Sequence, residues 1–161
     1  MPQIKSRALA ERFIAKFSTF FHLAIFGTMS VSGSQTEESS AAEAGEIISV
    51  NGMDVHFRSA GDGPALLLLH GYTGAGIQWD KYVEEFSGTY TVIAPDLPGH
   101  SRSTNPFDYF SMRETAKSLL SLLDELGHHR VSGIGYSLGG MVLLHMAAKQ
   151  PARFEALILT A

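Results

Sequence analysis

Gly133-Ile134-Gly135-Tyr136-Ser137-Leu138-Gly139-Gly140 is the stretch that decides how this chain folds. The residues before it, Val131 to Gly135, read as a short buried strand, and Gly139 to Gln150 read as a helix that stops at Pro151. Gly135 to Gly139 therefore matches G-x-S-x-G at a junction from strand to helix. A serine at so sharp a turn projects its hydroxyl away from the backbone, and the flanking glycines remove side chains that would collide. The helix that starts there points its N–H groups at the hydroxyl and favours developing negative charge. Ser137 is thus a candidate nucleophile, and the N–H of Leu138 is a candidate donor to an oxyanion.

Two loops upstream bear on the same chemistry. Ala65 to Leu69 is wholly apolar, as expected of a strand buried on both faces, and His70-Gly71-Tyr72-Thr73-Gly74 follows it. An oxyanion hole needs a second backbone donor from an earlier strand–helix loop, and Tyr72 N–H is the natural candidate. The bland alternative is a glycine-rich turn that only reverses the chain. The second loop, Asp96-Leu97-Pro98-Gly99-His100-Ser101-Arg102-Ser103, follows a strand over Tyr90 to Ala94. Asp96 is read as a turn carboxylate accepting backbone N–H groups rather than as a general acid or base. His100 is read as structural rather than as the catalytic base.

The rest of the chain fits a strand–helix alternation. Ile47, Ile48 and Val50 lead into Asn51-Gly52, after which Met53, Val55 and Phe57 alternate with polar residues. Asn-Gly between two such runs predicts a hairpin, because both residues accept positive φ. Trp79, Tyr82, Val83 and Phe86 share a helix face. Ser111-Met112-Arg113-Glu114 is a capping box that opens a helix carrying Met112, Ala116, Leu119, Leu120 and Leu123. Gly127 is placed to end that helix, and Phe154 to Thr160 is a final strand. Alternation of this kind predicts an α/β fold: a mostly parallel sheet with helices on both faces and an N-terminal β-hairpin. Ligands on such sheets bind at the carboxyl ends of the strands, where all three loops lie.

Composition narrows the classes further. The 161 residues are 45% hydrophobic and 17% charged with a net charge of −4, which suits one globular domain and gives no basic footprint for nucleic acid. There is no cysteine, hence no disulfide framework and no thiolate metal site, and neither metal nor cofactor is expected. Residues 1–34 differ from the rest. Lys5, Arg7, Arg12 and Lys16 face a single acid, Glu11, and precede an apolar run from Phe17 to Val31 that exits through Ser32-Gly33-Ser34. A basic start, an apolar middle and a small-residue exit make the pattern of a secretory signal peptide or N-terminal anchor. It predicts a secreted or periplasmic protein, with membrane-anchored and cytoplasmic locations as alternatives. Any membrane contact is expected to be transient and confined to this segment. Residues 35–45 are small, polar and acidic, a linker to the domain at 46–161.

LLLLHGYTG, APDLPGHSRS and GIGYSLGG, in that order, resemble the N-terminal part of an α/β-hydrolase-fold enzyme of the serine hydrolase type. The resemblance covers roughly residues 46–161. It implies strands one to six of the usual eight, Ser137 as nucleophile, and the Tyr72 and Leu138 N–H groups as the oxyanion hole. Ser101 departs from the glycine more usual at that place, a difference expected to matter little. A serine rather than an aspartate nucleophile argues against the haloalkane dehalogenases and epoxide hydrolases of this fold. It leaves enzymes that cleave an ester, thioester, lactone, amide or carbon–carbon bond of a small-molecule substrate through an acyl-enzyme.

In such enzymes the order is Ser, then Asp or Glu, then His, and no histidine follows His145. His145 lies about two helical turns from Ser137, on the order of 12 Å away and out of hydrogen-bond reach. His128 and His129 precede the elbow strand at its other end. These 161 residues alone are therefore expected to show little or no activity, because an unassisted serine hydroxyl is weakly nucleophilic. The two missing strands would also leave an open, apolar sheet edge. Two other readings compete. Gly133, Gly135 and Gly139 form a G-x-G-x-x-x-G run that suggests a nucleotide-binding, Rossmann-like domain. That run, however, lies in the third strand–helix unit, and Glu155 stands at the start of its strand instead of ending it. The other is a hydrolase-fold protein that binds a small molecule without turnover.

Overall fold

The structure, a computed structural model, describes residues 45–161. The leader at 1–34, and all of the linker except Gly45, lie outside the described residues. The first two strands, β1 (Glu46–Val50) and β2 (Met53–Ala60), form the expected hairpin. Val50 pairs with Met53, and Asn51 and Gly52 take φ of 53° and 75° between them, the geometry a two-residue turn requires. Next come β3 (Ala65–Leu69), a 3-10 turn at Gly76–Trp79, α1 (Asp80–Ser87) and β4 (Thr91–Pro95). They are followed by α2 (Met112–Glu125), β5 (Val131–Tyr136), α3 (Leu138–Lys149) and β6 (Phe154–Thr160).

The six strands form one sheet in the order β1-β2-β4-β3-β5-β6. The pairs β3–β4, β3–β5 and β5–β6 are parallel, whereas the hairpin joins antiparallel through β2–β4. Alternate strand residues serve opposite faces. Met53, Val55, Phe57, Leu67, Leu69 and Ile93 pack on one face with Leu119, Leu122 and Leu123 of α2 and Val142, Leu143 and Met146 of α3. The intervening residues Leu66, Leu68, Val92, Ala94 and Ile134 are buried on the other face, where α1 packs against β4 and β2 with Tyr82 and Phe86 inward. Helices therefore cover both faces, which is why β3 carries no polar residue. Each fully buried leucine of β3 contributes roughly 1.5–3 kcal/mol relative to an exposed one.

The helix boundaries follow local chemistry. Ser111 caps α2: its Oγ accepts the Glu114 N–H at 3.3 Å. At the other end Gly127 takes φ 75°, and the N–H groups of Gly127 and His128 reach the carbonyls of Asp124 and Leu123, a Schellman closure. The spacing around Trp79 is helical, but the structure places Trp79 at the end of the 3-10 turn, and α1 begins at Asp80. The helix α3 begins at Leu138, one residue ahead of the expected Gly139, because Ser137 itself caps it. Among the described residues, no helix is long and apolar enough to cross a membrane.

Candidate active site

Strands β3 and β5 are parallel neighbours, with Leu69 opposite Gly135. Their carboxyl ends bring the His70–Gly74 loop beside the β5–α3 turn. Ser137 sits in that turn with φ 48° and ψ −112°, a conformation that costs an L-residue about 1–3 kcal/mol and persists only where the surroundings enforce it. They do so through hydrogen bonds: Ser137 N–H donates to Thr160 O at 2.7 Å, and Ser137 O accepts from Met141 N–H at 3.2 Å. They also do so through close approach. A Cβ on Gly139 would meet the Leu69 carbonyl oxygen and lie 2.6 Å from its carbon, so α3 starts against the backbone end of β3. A Cβ on Gly71 would lie 2.8 Å from the Tyr136 ring and 3.6 Å from Ser137 Cβ, so Gly71 lies directly beside the serine.

The sequence-predicted residues thus come together. Ser137 lies at the tip of the turn, and Leu138 is the first residue of α3, whose N–H has no acceptor within its own helix. Tyr72 follows the glycine that touches Ser137, with its side chain 70% exposed. Neither a basic nor an acidic side chain lies in the first turn of α3 that could offset its positive end.

Under these loops lies a polar network that the sequence reading only partly anticipates. His70 is buried at the end of β3. Its Nδ1–H donates to Gly71 O at 2.7 Å, and its Nε2 accepts from Leu97 N–H at 2.9 Å. Only the neutral Nδ1–H tautomer satisfies both bonds, and burial accordingly holds His70 below its ordinary pKa, with the nearby His100 adding to that effect. Asp96 is a turn carboxylate: Oδ1 accepts Gly76 N–H at 2.6 Å, and Oδ2 accepts Arg102 N–H at 3.3 Å. It also accepts His56 Nδ1–H at 2.9 Å, with the His56 and Asp96 side chains 2% and 1% exposed. Burial pushes the Asp96 carboxyl up, but the two backbone donors and His56 outweigh it and hold the group below the usual carboxylate range. His100 Nε2–H donates to Tyr72 O at 2.5 Å and ties the second loop to the first.

His70 and His56 are the residues that sequence reasoning missed. His56 stands out of phase with the apolar Met53, Val55 and Phe57, so alternation assigns it to the other face, which α1 and the Asp96 loop then bury. Ser101 takes φ 49°, a backbone conformation that glycine adopts more easily. No described histidine hydrogen-bonds to Ser137: His56, His70 and His100 are engaged as above, His128 and His129 precede β5, and His145 lies two turns along α3 with Nε2 unpartnered. Among the described residues no group of three His, Asp or Glu is placed to hold a metal.

A family model for the alpha/beta hydrolase fold matches residues 64–161. A soluble epoxide hydrolase from Corynebacterium sp. is 36% identical over 98 residues, 61% of this chain and 34% of its own length. A pimeloyl-[acyl-carrier protein] methyl ester esterase from Vibrio campbellii is 33% identical over 108 residues, 67% of this chain and 41% of its own. The crystal structure of a hydrolase from Pseudomonas aeruginosa superposes with a TM-score of 0.68 at 27% identity, covering 73% of this chain and 46% of that one. The chain spans about a third of the length of the curated relatives it matches, 32% and 34% for two of them. With its sheet order, its elbow turn and a match over more than half its residues, the chain belongs to the alpha/beta hydrolase fold family.

Proposed function

We propose that Ser137 is the nucleophile of an acyl-transfer hydrolase acting on an ester, thioester, lactone, amide or carbon–carbon bond of a small molecule. The observation that carries this reading is the enforced φ of 48° at Ser137, at the N-terminus of α3 and against Gly71. Strain of this kind supports a functional role, because it leaves the Ser137 residue exposed at the start of a helix. The Ser137 Oγ attacks the substrate carbonyl carbon while its proton passes to a base. The Leu138 and Tyr72 N–H groups hold the oxyanion, and its collapse expels the protonated leaving group. Water then cleaves the acyl-serine by the same route. Among the described residues no histidine hydrogen-bonds to Ser137 to act as this base.

The epoxide hydrolase relative raises a second reading, which the chemistry of serine disfavours. Opening an epoxide with a serine oxygen forms an ether, and an ether has no acyl carbon for water to attack. Such an enzyme would stop after one turnover, whereas acyl transfer to serine leaves a hydrolysable ester. A fluorophosphonate probe tests the proposal in the full-length polypeptide: Ser137 is labelled, and Ser137→Ala abolishes labelling. Folded protein that does not label would overturn it. For the leader at 1–34 we propose an export role, which N-terminal sequencing of the extracytoplasmic protein would check.

A further inference from the structure

An open cavity of about 390 Å³ lies beside Tyr72. Five rings, Tyr72, His100, Phe107, Tyr109 and Phe110, line it together with polar groups that include Asp108. Tyr72, Tyr109 and Phe107 are 70%, 66% and 37% exposed, an unusual concentration of large rings in water. The rings are held in place. Asn105 Oδ1 accepts Phe107 N–H, and Asn105 Nδ2 donates to Tyr109 O, each at 3.1 Å, so a single side chain pins the loop. His100 links two of these rings: it meets Tyr72 edge-on at 5.9 Å and Phe110 edge-on at 6.2 Å, and it hydrogen-bonds Tyr72 O.

We propose that this groove binds an aromatic ring of the substrate, neutral or cationic, and so selects esters or amides that carry one. The proposal rests on the acyl-transfer reading of Ser137. The cavity falls within the range of small-molecule sites, about 300–1,000 Å³. Tyr72 belongs to both places, since the preceding Gly71 lies against Ser137. Phe107 and Tyr109 stand 6.1 Å apart and tilted by 35°, and rings so grouped favour a further ring in offset or edge-on contact. Asp108 and the net charge of −4 disfavour an anionic ring substituent.

Binding of N-phenylacetamide and N-cyclohexylacetamide to the full-length protein, followed by saturation-transfer NMR and calorimetry, tests this without requiring turnover. The phenyl compound is expected to bind about three- to tenfold more tightly than its saturated counterpart, the advantage of ring–ring contact over equal apolar area. Tyr109→Leu and Phe107→Leu, at exposed positions where folding can be verified by circular dichroism, should bring the two affinities toward parity. Ser137→Ala should leave the preference intact. Equal affinities, absence of phenyl binding, or a preference that survives both leucine variants would overturn the proposal. If Ser137 fails to label while the phenyl preference holds, the acyl-transfer reading falls and an aromatic-binding groove remains. Labelling without the preference removes the groove alone.

Discussion

Replacing Gly139 by alanine tests the close packing that creates the elbow. The added methyl would lie 2.6 Å from the Leu69 carbonyl carbon and 2.7 Å from His70 O, with the Leu69 oxygen nearer still. These are backbone atoms, so no rotamer change relieves the contact. Bringing these atoms to ordinary van der Waals separation moves the start of α3 away from β3 by roughly 1 Å. Overpacking of this kind costs about 1–3 kcal/mol, a fall of at least about 4 °C in Tm for a domain near this size. The displacement also carries Leu138 N–H, whose proposed role as an oxyanion donor tolerates only a few tenths of an ångström. Loss of one such donor lowers the rate by about 10²–10³-fold. Urea denaturation of Gly139→Ala is best read against Gly88→Ala, where nothing lies within 4 Å of the new methyl and stability should change by less than about 0.5 kcal/mol. Coincident denaturation midpoints for the two variants would refute the claim that α3 is held against β3 by backbone contact.

Three further outcomes follow from local features. Because burial depresses the His70 pKa below 6.5, the folded chain binds fewer protons than the unfolded one just below that pH. The stabilisation is complete above pH 6.5 and is lost as the pH falls toward the folded value, with a slope that cannot exceed about 1.4 kcal/mol per pH unit for one proton; urea midpoints from pH 5 to 8 should show it, and His70→Gln should flatten it. Ser111→Ala removes the acceptor for Glu114 N–H and should destabilise the fold by about 0.5–2 kcal/mol in the same assay. Ser101→Gly relieves a positive φ and, after the greater freedom glycine gives the unfolded chain, should raise stability by roughly 0.5–1 kcal/mol in thermal denaturation.

The sequence alone determined the elements whose causes lie within a few residues. Asn51-Gly52 specifies a hairpin because both residues accept a positive φ readily. The uninterrupted apolar run Ala65–Leu69 requires burial on both faces, and G-x-S-x-G requires a turn that exposes Ser137. Sterics and hydrogen-bond geometry act locally there, so the pattern carries the answer. Tertiary structure decided the rest, because those contacts join residues far apart in the chain. The order β4-β3-β5 sets Gly71 against Ser137, and no local pattern in either segment encodes the other. His56 looks like a solvent-facing strand residue until α1 and the Asp96 loop close over it and supply the Asp96 carboxylate, and His70 looks like a loop residue until Leu97 donates to it. Ser101 carries no mark of its left-handed backbone. Burial and partnership are properties of the closed sheet, and only the sheet could assign them.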